Sequence, residues 1–457
     1  MQLNKNSFRE YDIRGIYGLE IDEELFFHIG KAVGTIYRRK NLSNIVLGMD
    51  NRVSSESLTK KLCEGLLGTG CNVTFVGTVP YPLIHFFTTT QGFEGGVYVT
   101  ASHNTAEYNG VKVEFAKAEP VFGEGIREIA DIIENEAYMT GKGSFAEKDL
   151  IEDYVSYIKG KFSFNKKFKV VLNTGNGVTG GVAKEVLETL GVEIVPVNLE
   201  LDGTFPNGTP DPEELEFVER TVSAVRKSCA DAGFGLDGDG DRFLMVDENG
   251  KSYATDRALL LFSKHILSTN PGSTIAYDVK CTSLAEDIIR KYGGEPEIMR
   301  TGRSFFIKKV TGKEAVFGVE FSGHTYFGDR YFGYDDGIYA ICRVLELMDT
   351  ENKGIPGLMA EFPERVSSPE IKVHCEDDVK FGVVEKIIEE VKASDNYTRK
   401  NFVDGIRANV TDTSWFLIRA KNTSPFLGIR VEAESEEELS SVKDRVNNLL
   451  RPHKLHL

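Results

Sequence analysis

The stretch IVLGMD at residues 45–50 starts the pattern that decides the fold. This apolar strand is followed by a segment with helical spacing, by Gly70, which ends the helix, and by a second apolar strand, NVTFVG, at residues 72–77. A strand, a helix and a strand of this length predict a βαβ crossover, which requires a parallel or mixed sheet.

The same unit occurs twice more along the chain. Its copies begin with KVVLNT at residues 169–174 and TIAYDV at residues 274–279, and they end with strands at 192–198 and 295–301. Three matched copies predict three related α/β domains, although any α/β protein contains some units of this kind. Each helix carries apolar residues at the same offsets, which form a stripe on one face: Leu58, Leu62, Cys63 and Leu66; Val182, Val186, Leu187 and Leu190; Leu284, Ile288, Ile289 and Tyr292.

The C-terminal part of the chain has a different pattern. FPERVSSPE at residues 362–370, with two prolines and two serines, predicts a linker. Beyond it, strands from Ile371, within 402–419 and at 427–433, with helices at 379–392 and from Glu436, predict an α+β domain with antiparallel pairing. We therefore predict four domains: α/β domains at residues 1–150, 151–250 and 251–363, and an α+β domain at 364–457.

The overall composition excludes several functions. The net charge of −16 over 457 residues argues against nucleic acid or an anionic membrane as a partner, because both require a basic surface. No apolar run approaches the ~18 residues of a membrane span, and no apolar segment follows the N-terminus, so we predict no secretory signal. The six cysteines are scattered without a CxxC pair, which predicts reduced thiols in a cytoplasmic protein.

DGDGDR at residues 237–242 is the candidate metal loop. Asp237, Asp239 and Asp241 would repel one another without a cation, and oxygen-only ligands select Mg²⁺ or Ca²⁺. An EF-hand is excluded because its sixth position, which must be glycine, is Arg242. The alternative is a solvated acidic loop.

TASHN at residues 100–104 offers the candidate nucleophile. Ser102 follows a predicted strand at 96–100, and the carboxyl ends of such strands bind ligands in open α/β sheets. The flanking glycines of an acyl-hydrolase elbow are absent. We expect the adjacent His103 side chain to diverge from Ser102 and not to act as its base. The alternative role for Ser102 is a helix cap or turn.

A polar run at residues 419–425, RAKNTSP, followed by Arg430, is suited to a phosphate dianion, although a solvated hairpin fits it equally well. Two GxGxxG matches, at 175–180 and 233–238, indicate dinucleotide binding only weakly. The strand behind the first match ends at Asn198, where a carboxylate for the ribose is expected.

Together these stretches resemble the α-D-phosphohexomutase family, and most closely its bacterial phosphomannomutase/phosphoglucomutase members. The likeness runs nearly end to end, and it rests on these motifs in order: FREYDIRG at 8–15, SHN at 102–104, YNGVK at 108–112, DGDGDR at 237–242, DVK at 278–280, TGRS at 301–304, EFSGH at 320–324, FGYDDG at 332–337 and the 419–425 loop.

The resemblance implies an α/β protein: three related domains with mixed sheets and a C-terminal α+β domain around a central cleft. It implies a mutase that interconverts hexose 1-phosphate and 6-phosphate of mannose, glucose or both through a phosphoserine and a 1,6-bisphosphate. Mg²⁺ and a hexose 1,6-bisphosphate activator would be its cofactors. Partners would be small sugar phosphates, with no nucleic acid or membrane, and the chain would be a monomer or homodimer.

The resemblance also implies residue roles. Ser102 would carry the phosphoryl group and would hold the metal together with Asp237, Asp239 and Asp241. The catalytic set would also include His103, Lys112 and Arg242, with His324 transferring the proton of the sugar hydroxyl. Substrate contacts would come from Tyr11, Arg14, Lys280, Arg303, Glu320, Ser322, Arg419, Lys421, Asn422, Thr423 and Ser424.

Two departures from close relatives lie near the expected substrate contacts. Arg303 stands where histidine is frequent, which adds positive charge near the substrate. Lys421 stands where serine is common, and it either strengthens phosphate binding or points to solvent. Other functions stay open at this point: a phosphoglucosamine mutase, a Mg²⁺-dependent sugar phosphatase, a non-catalytic sugar-phosphate sensor and a dehydrogenase.

Overall fold

The computed structural model describes residues 3–421 and 425–457. The chain forms two compact units: the first comprises Met1–Thr255, Phe306–Glu314 and Ser322–Met359, and the second Asp256–Phe305, Ala315–Phe321 and Ala360–Leu457.

The secondary structure alternates strands and helices through most of the chain. The strands are β1 Ile13–Ile16, β2 Asn44–Met49, β3 Asn72–Thr78, β4 Gly95–Val99, β5 Tyr108–Phe115, β6 Glu119–Pro120, β7 Phe145–Glu147, β8 Lys169–Asn173, β9 Glu193–Val197, β10 Ala232–Leu236, β11 Phe243–Asp247, β12 Ser252–Tyr253, β13 Thr274–Asp278, β14 Glu295–Met299, β15 Phe317–Val319, β16 Thr325–Phe327, β17 Val366–Ser367, β18 Ile371–His374, β19 Thr398–Asn401, β20 Ile406–Asn409, β21 Trp415–Ala420 and β22 Phe426–Ala433. The helices are α1 Glu23–Arg39, α2 Ser55–Leu67, α3 Tyr81–Thr90, α4 Glu124–Glu134, α5 Ile151–Lys159, α6 Gly180–Thr189, α7 Leu215–Ser228, α8 Thr255–Thr269, α9 Leu284–Lys291, α10 Arg303–Thr311, α11 Gly337–Thr350, α12 Ile355–Met359, α13 Lys380–Ala393 and α14 Glu436–Leu450.

The predicted βαβ units are confirmed in all three copies. β2 pairs in parallel with β3, β8 with β9, and β13 with β14, and the intervening helices are α2, α6 and α9. The stripe residues Leu58, Leu62 and Leu66 are fully buried, because α2 turns this face into the core. The sheets are mixed as predicted: β4 and β5 are antiparallel in the first sheet, and β10 and β11 in the second.

The order of strands within each sheet determines which strands are neighbours of β4, β10 and β13. The first sheet has the order β1-β5-β4-β2-β3-β7, so β4 lies between β5 and β2. The second has the order β12-β11-β10-β8-β9, and the 237–242 loop joins its antiparallel neighbours β10 and β11. In the second unit β13 lies between two parallel partners, β14 and β15.

The C-terminal α+β domain is confirmed with one correction. β22 pairs antiparallel with β21, β18 and β17, and α13 and α14 supply apolar residues such as Ile387 and Val442 to its core. The segment 362–370 is only partly a linker, because Val366–Ser367 forms the short strand β17 on β22. Its proline and serine content hid an edge strand, a place where proline is tolerated.

Within the described residues, no helix combines the length and the apolar character that crossing a bilayer requires.

Candidate active site

Ser102 lies in a tight turn directly after β4. Its backbone has φ of +52°, a left-handed conformation that L residues rarely adopt. The backbone N–H of Ser102 donates to Thr100 Oγ1 at 2.8 Å, and its hydroxyl donates to Asp237 Oδ2 at 3.1 Å. Only 4% of Ser102 is exposed. The turn therefore aims the hydroxyl at the aspartate loop.

Arg52, which the sequence analysis missed, holds this turn in place. Its buried guanidinium donates to the carbonyl oxygens of Ser102 at 2.8 Å, Asn104 at 2.7 Å, Thr105 at 2.5 Å and Tyr108 at 3.1 Å. Its Nε donates to Asp50 Oδ2 at 3.0 Å, which compensates the buried charge. The planar fork of arginine suits such a set of carbonyl acceptors.

The three aspartates converge as predicted. Carboxylate oxygens of Asp237, Asp239 and Asp241 lie within 4.8 Å of one another, and all three residues are buried. Burial, and then the charges of Asp241 and Asp239, raise the pKa of Asp237 well above its ordinary value. Gly238 permits the close approach of this loop to the serine turn, because a Cβ there would lie 2.5 Å from the Ser102 carbonyl oxygen.

The donor set fits a hard divalent cation. Asp239 Oδ1 is buried and has no hydrogen-bond partner among the described residues, so an acceptor is available in an all-oxygen cluster. Asp239 Oδ2 accepts from Lys112 Nζ at 2.8 Å and from Thr100 Oγ1 at 3.3 Å. Lys112 also bonds Asp241 Oδ2 at 3.0 Å, which places a cation beside the cluster.

The expectation that His103 diverges from Ser102 is wrong. His103 Nδ1 lies 3.3 Å from Ser102 Oγ, because the left-handed backbone of Ser102 turns the two neighbouring side chains to one side. Burial, followed by the fields of Arg242, Arg14, His324 and Lys112, lowers the pKa of His103 well below its ordinary value. The ring is therefore neutral near pH 7.

His324 is held at both ring nitrogens. Its Nδ1 lies 2.8 Å from Asp335 Oδ2, and its Nε2 accepts from Arg242 Nε at 3.1 Å. These contacts assign the proton to Nδ1 and the lone pair to Nε2. Behind Asp335 lies His85, with Nε2 at 3.9 Å from Asp335 Oδ1 and Nδ1 at 2.5 Å from Glu114 Oε2. Asp335 and this buried chain were not singled out from the sequence.

Of the remaining predicted residues of the first unit, Arg14 and Arg242 make contacts at the site. Arg14 donates to Asn104 Oδ1 in the serine loop and to Asp12 Oδ2, each at 2.5 Å. Arg242 lies 3.6 Å from Asp211 Oδ1, and nearby carboxylates raise its pKa although burial opposes this. Tyr11 and Ser322 are half-buried.

The second unit carries the other predicted substrate residues. Lys280 is buried after β13, and Glu320 Oε1 accepts from the backbone N–H of Gly302 at 2.8 Å, beside Arg303 at the start of α10. Arg419 Nε donates to Asp404 Oδ2 at 2.9 Å, while Lys421 Nζ donates to Glu370 Oε2 at 2.8 Å. Lys421 thus points to a carboxylate, not to solvent. Asn422, Thr423 and Ser424 lie outside the described residues.

Sequence patterns could have indicated some of the residues that the sequence analysis missed. Asp50 and Arg52 directly follow β2, which is parallel to β4, so their position at the same sheet edge as Ser102 could have been predicted. Asp335 stands in the FGYDDG motif next to Asp336, which caps α11 through a bond to the N–H of Tyr339 at 3.0 Å. No sequence pattern indicated Glu370, because its partner Lys421 lies 51 positions further along the chain.

Comparison with known proteins agrees with this geometry. Four families described as phosphoglucomutase/phosphomannomutase domains match the chain: alpha/beta/alpha domain I at residues 5–139, domain II at 152–250, domain III at 254–366 and the C-terminal domain at 370–449.

Individual relatives match over nearly their whole length. The chain is 37% identical to a phosphomannomutase/phosphoglucomutase of Pseudomonas aeruginosa, covering 97% of this chain and 95% of the relative. It is 32% identical to a phosphoglucomutase of Neisseria gonorrhoeae, covering 99% and 98%. A crystal structure of a phosphoglucomutase/phosphomannomutase family protein from Burkholderia thailandensis is similar, with a TM-score of 0.92, 32% identity and coverage of 99% and 98%.

Proposed function

We infer the reaction from one premise: this chain belongs to the phosphoglucomutase/phosphomannomutase family. It is a hexose phosphate mutase, an enzyme that interconverts hexose 1-phosphate and hexose 6-phosphate. The observation that carries this conclusion is the meeting of two buried loops, where the Ser102 hydroxyl lies 3.1 Å from Asp237 in the aspartate triplet. The phosphatase, sensor and dehydrogenase alternatives have no comparable support.

We propose Ser102 as the phosphoryl carrier. In the first half-reaction the P–O bond to Ser102 breaks while a bond forms between phosphorus and the free hydroxyl oxygen of the hexose phosphate. The sugar hydroxyl loses its proton, the released Ser102 oxygen gains one, and a hexose 1,6-bisphosphate results. After the bisphosphate reorients, its other phosphoryl group returns to Ser102, the Ser102 hydroxyl loses its proton and the released sugar oxygen gains one. Positioning of Ser102 accounts for much of the catalysis, because in-line geometry and charge compensation dominate phosphoryl transfer.

We propose that Asp237, Asp239, Asp241 and an oxygen of Ser102, or of its phosphate, hold Mg²⁺. When bound, the ion supplies positive charge that offsets the negative charge of the transferring group. Two observations support this assignment: Asp239 Oδ1 has no hydrogen-bond partner within residues 3–421 and 425–457, and all the candidate ligands are oxygens. Lys112, already bonded to two of these carboxylates, would supply a further positive charge to the phosphoryl group.

We propose His324 as the group that exchanges the proton with the sugar hydroxyl. Its lone pair is on Nε2, the side it presents to Arg242, so Arg242 must release the ring before proton transfer. A phosphoryl group at Ser102 would attract the Arg242 guanidinium and free that nitrogen. His103, whose Nδ1 lies 3.3 Å from Ser102 Oγ, would donate a hydrogen bond to the phosphoryl group.

We propose the substrate contacts that the family resemblance implies. Glu320 and Ser322 would bond sugar hydroxyls, while Arg419, Lys421, Asn422, Thr423 and Ser424 would bind the non-reacting phosphate. Tyr11, Arg14, Lys280 and Arg303 would contribute further polar contacts. A hexose 1,6-bisphosphate would activate the enzyme by phosphorylating Ser102. We propose domain boundaries near residues 150, 250 and 363, a cytoplasmic location and a monomer or homodimer.

The sugar is the part of the function that the residues determine least. Glucose and mannose differ only at C2, so an enzyme that recognises the 3- and 4-hydroxyls and the phosphate accepts both. The relatives carry both names, phosphomannomutase/phosphoglucomutase and phosphoglucomutase. We therefore propose dual specificity, with glucosamine 1-phosphate as the alternative substrate.

The deciding experiment is a turnover assay with Mg²⁺ and catalytic glucose 1,6-bisphosphate on the 1-phosphates of glucose, mannose and glucosamine. We expect comparable formation of glucose and mannose 6-phosphates without stoichiometric release of inorganic phosphate. Turnover of glucosamine 1-phosphate alone would refute dual specificity but keep the mechanism. Release of inorganic phosphate without isomerisation would identify a phosphatase instead.

A further inference from the structure

The C-terminal cations that we assign to phosphate binding already contact carboxylates. Lys421 Nζ donates to Glu370 Oε2 at 2.8 Å, and Arg419 NH1 lies 3.9 Å from Glu370 Oε1. On its other side Arg419 bonds Asp404, whose carboxylate also accepts the backbone N–H of Thr301 at 3.1 Å. Each of these two cations is therefore paired with a carboxylate before any phosphate arrives.

Glu370 is a largely buried member of this cluster and not an exposed surface residue. Its side chain is 12% exposed, and its Oε1 has no hydrogen-bond partner among the described residues. Burial alone would raise its pKa, but the fields of Lys280, Lys421 and Arg419 lower it to about 2, so the group is ionised at neutral pH. Gly428, paired with Arg419 across the sheet, makes room for it: a Cβ there would lie 2.6 Å from Oε1.

Lys421 is fixed from both ends. Its carbonyl oxygen accepts from the buried Lys380 Nζ at 2.5 Å, while its own ammonium is held by Glu370. A lysine so held can reach a phosphate only by sharing or leaving Glu370. The carboxylate therefore competes with the incoming dianion for the same ammonium group.

We propose that Glu370 is an affinity-setting residue, which weakens the binding of the non-reacting phosphate by competing for Lys421 and Arg419. This inference rests on the proposed function of the cluster. It has a mechanistic reason: the bisphosphate must release one phosphate, turn and bind by the other within each cycle. Phosphate binding that is equally tight in every state lowers KM without raising kcat, and it slows each release.

The test is the substitution Glu370→Gln, which keeps the shape and one acceptor oxygen but removes the charge. In the full-length protein without Mg²⁺, we expect glucose 6-phosphate to bind about three- to tenfold more tightly by calorimetry, the effect of losing one repulsive charge at short range. With Mg²⁺, KM and kcat should both fall. Unchanged or weaker binding by a folded E370Q protein would overturn the proposal.

Two further variants test whether the effect comes from competition between Glu370 and the phosphate for Lys421. Lys421→Met should weaken the binding of glucose 6-phosphate, because Glu370 is left to repel the phosphate, and binding as tight as in the wild type would contradict our inference. Glu361→Gln is the control for net charge: it also removes one negative charge, but from a surface carboxylate that pairs with Lys264. If E361Q tightened binding as much as E370Q, net charge would be the cause and the proposal would fail.

The assay also separates this inference from the proposed function. Binding of glucose 6-phosphate is measured without turnover, so a wild-type protein that lacked mutase activity would refute the proposed reaction. The order of affinities among the wild type, E370Q and K421M would still decide the role of Glu370.

Discussion

At the scale of single residues, the proposed reaction depends on how Ser102 is held. A left-handed backbone at a non-glycine residue costs on the order of 1 kcal/mol, and it persists here because Arg52 binds four carbonyl oxygens of the same turn. This backbone conformation points the Ser102 hydroxyl toward Asp237. Arg52 therefore positions the proposed phosphoryl carrier through its backbone, without contacting the Ser102 hydroxyl.

The substitution Ser102→Ala should reduce mutase turnover by at least about three orders of magnitude, since it removes the oxygen that carries the phosphoryl group in the proposed cycle. The circular dichroism spectrum and melting temperature should stay close to those of the wild type. Thr105→Ala is the matched control, because this hydroxyl lies in the same loop but is exposed and bonds only Glu107 among the described contacts. Turnover of folded S102A within tenfold of the wild type would refute the phosphoserine mechanism.

A second prediction concerns Asp335, which fixes the proton of His324 on Nδ1. Asp335→Asn should lower kcat about 10- to 100-fold with a small change in KM, because partners that orient a functional histidine contribute on this scale. The control is the double variant H324A/D335N. If Asp335 acts through His324, the double variant should be no slower than H324A alone. Additive losses would show that Asp335 has a separate role.

At the scale of elements, the βαβ units were predictable because helix stripes and apolar strands are local patterns. The convergence of Asp237, Asp239 and Asp241 was predictable for the same reason, since alternating glycines let the loop curl. The partners of Arg52, Asp335 and Glu370 were harder to find. Arg52 and Glu370 contact residues 50 and 51 positions away, and Asp335 lies between His324 and the more distant His85, so these pairings become visible only in the fold.

The contact between the serine turn and the aspartate loop gives an element-scale prediction. In Gly238→Ala the added Cβ would lie 2.5 Å from the Ser102 carbonyl, so the loops must separate. We expect kcat to fall at least about tenfold, because misplacement of reacting groups by about 1 Å costs up to 10²-fold. Gly181→Ala in α6 is the control, since its Cβ would meet nothing within 4 Å. Equal activity of the two variants would contradict this loop contact.

The carboxyl end of β13 gives a prediction on pH. Burial raises the pKa of Asp278 to about 6, although Lys280 opposes this. Between its unfolded pKa of ~3.9 and this value the folded chain binds the extra proton, so its stability falls as the pH rises through this window. The melting temperature of the Asp278→Asn variant should be close to that of the wild type near pH 4 and higher than that of the wild type at pH 7. The exposed Asp287→Asn should show no such trend. A D278N difference that is constant with pH would count against the buried charge.

At the scale of the whole molecule, two opposing fields act on a sugar phosphate. The chain carries a net charge of −16, which repels an anion at long range. The cations close to the expected ligands are largely paired with carboxylates, as Lys112 is with Asp239 and Lys421 with Glu370. Attraction therefore begins only at short range, while repulsion acts over the whole approach.

This balance predicts an unusual salt dependence. The Debye length falls from ~30 Å at 0.01 M salt to ~8 Å at 0.15 M, so added salt should screen the distant repulsion more than the short contacts. With Mg²⁺ saturating, kcat/KM for glucose 1-phosphate should rise about two- to threefold over this range, the reverse of electrostatically steered enzymes. Potassium chloride and potassium acetate should act alike, because the effect is one of screening. A steady fall of kcat/KM with salt would mean that the local cations control the approach, and that the carboxylates paired with them compensate less of their charge than the structure indicates.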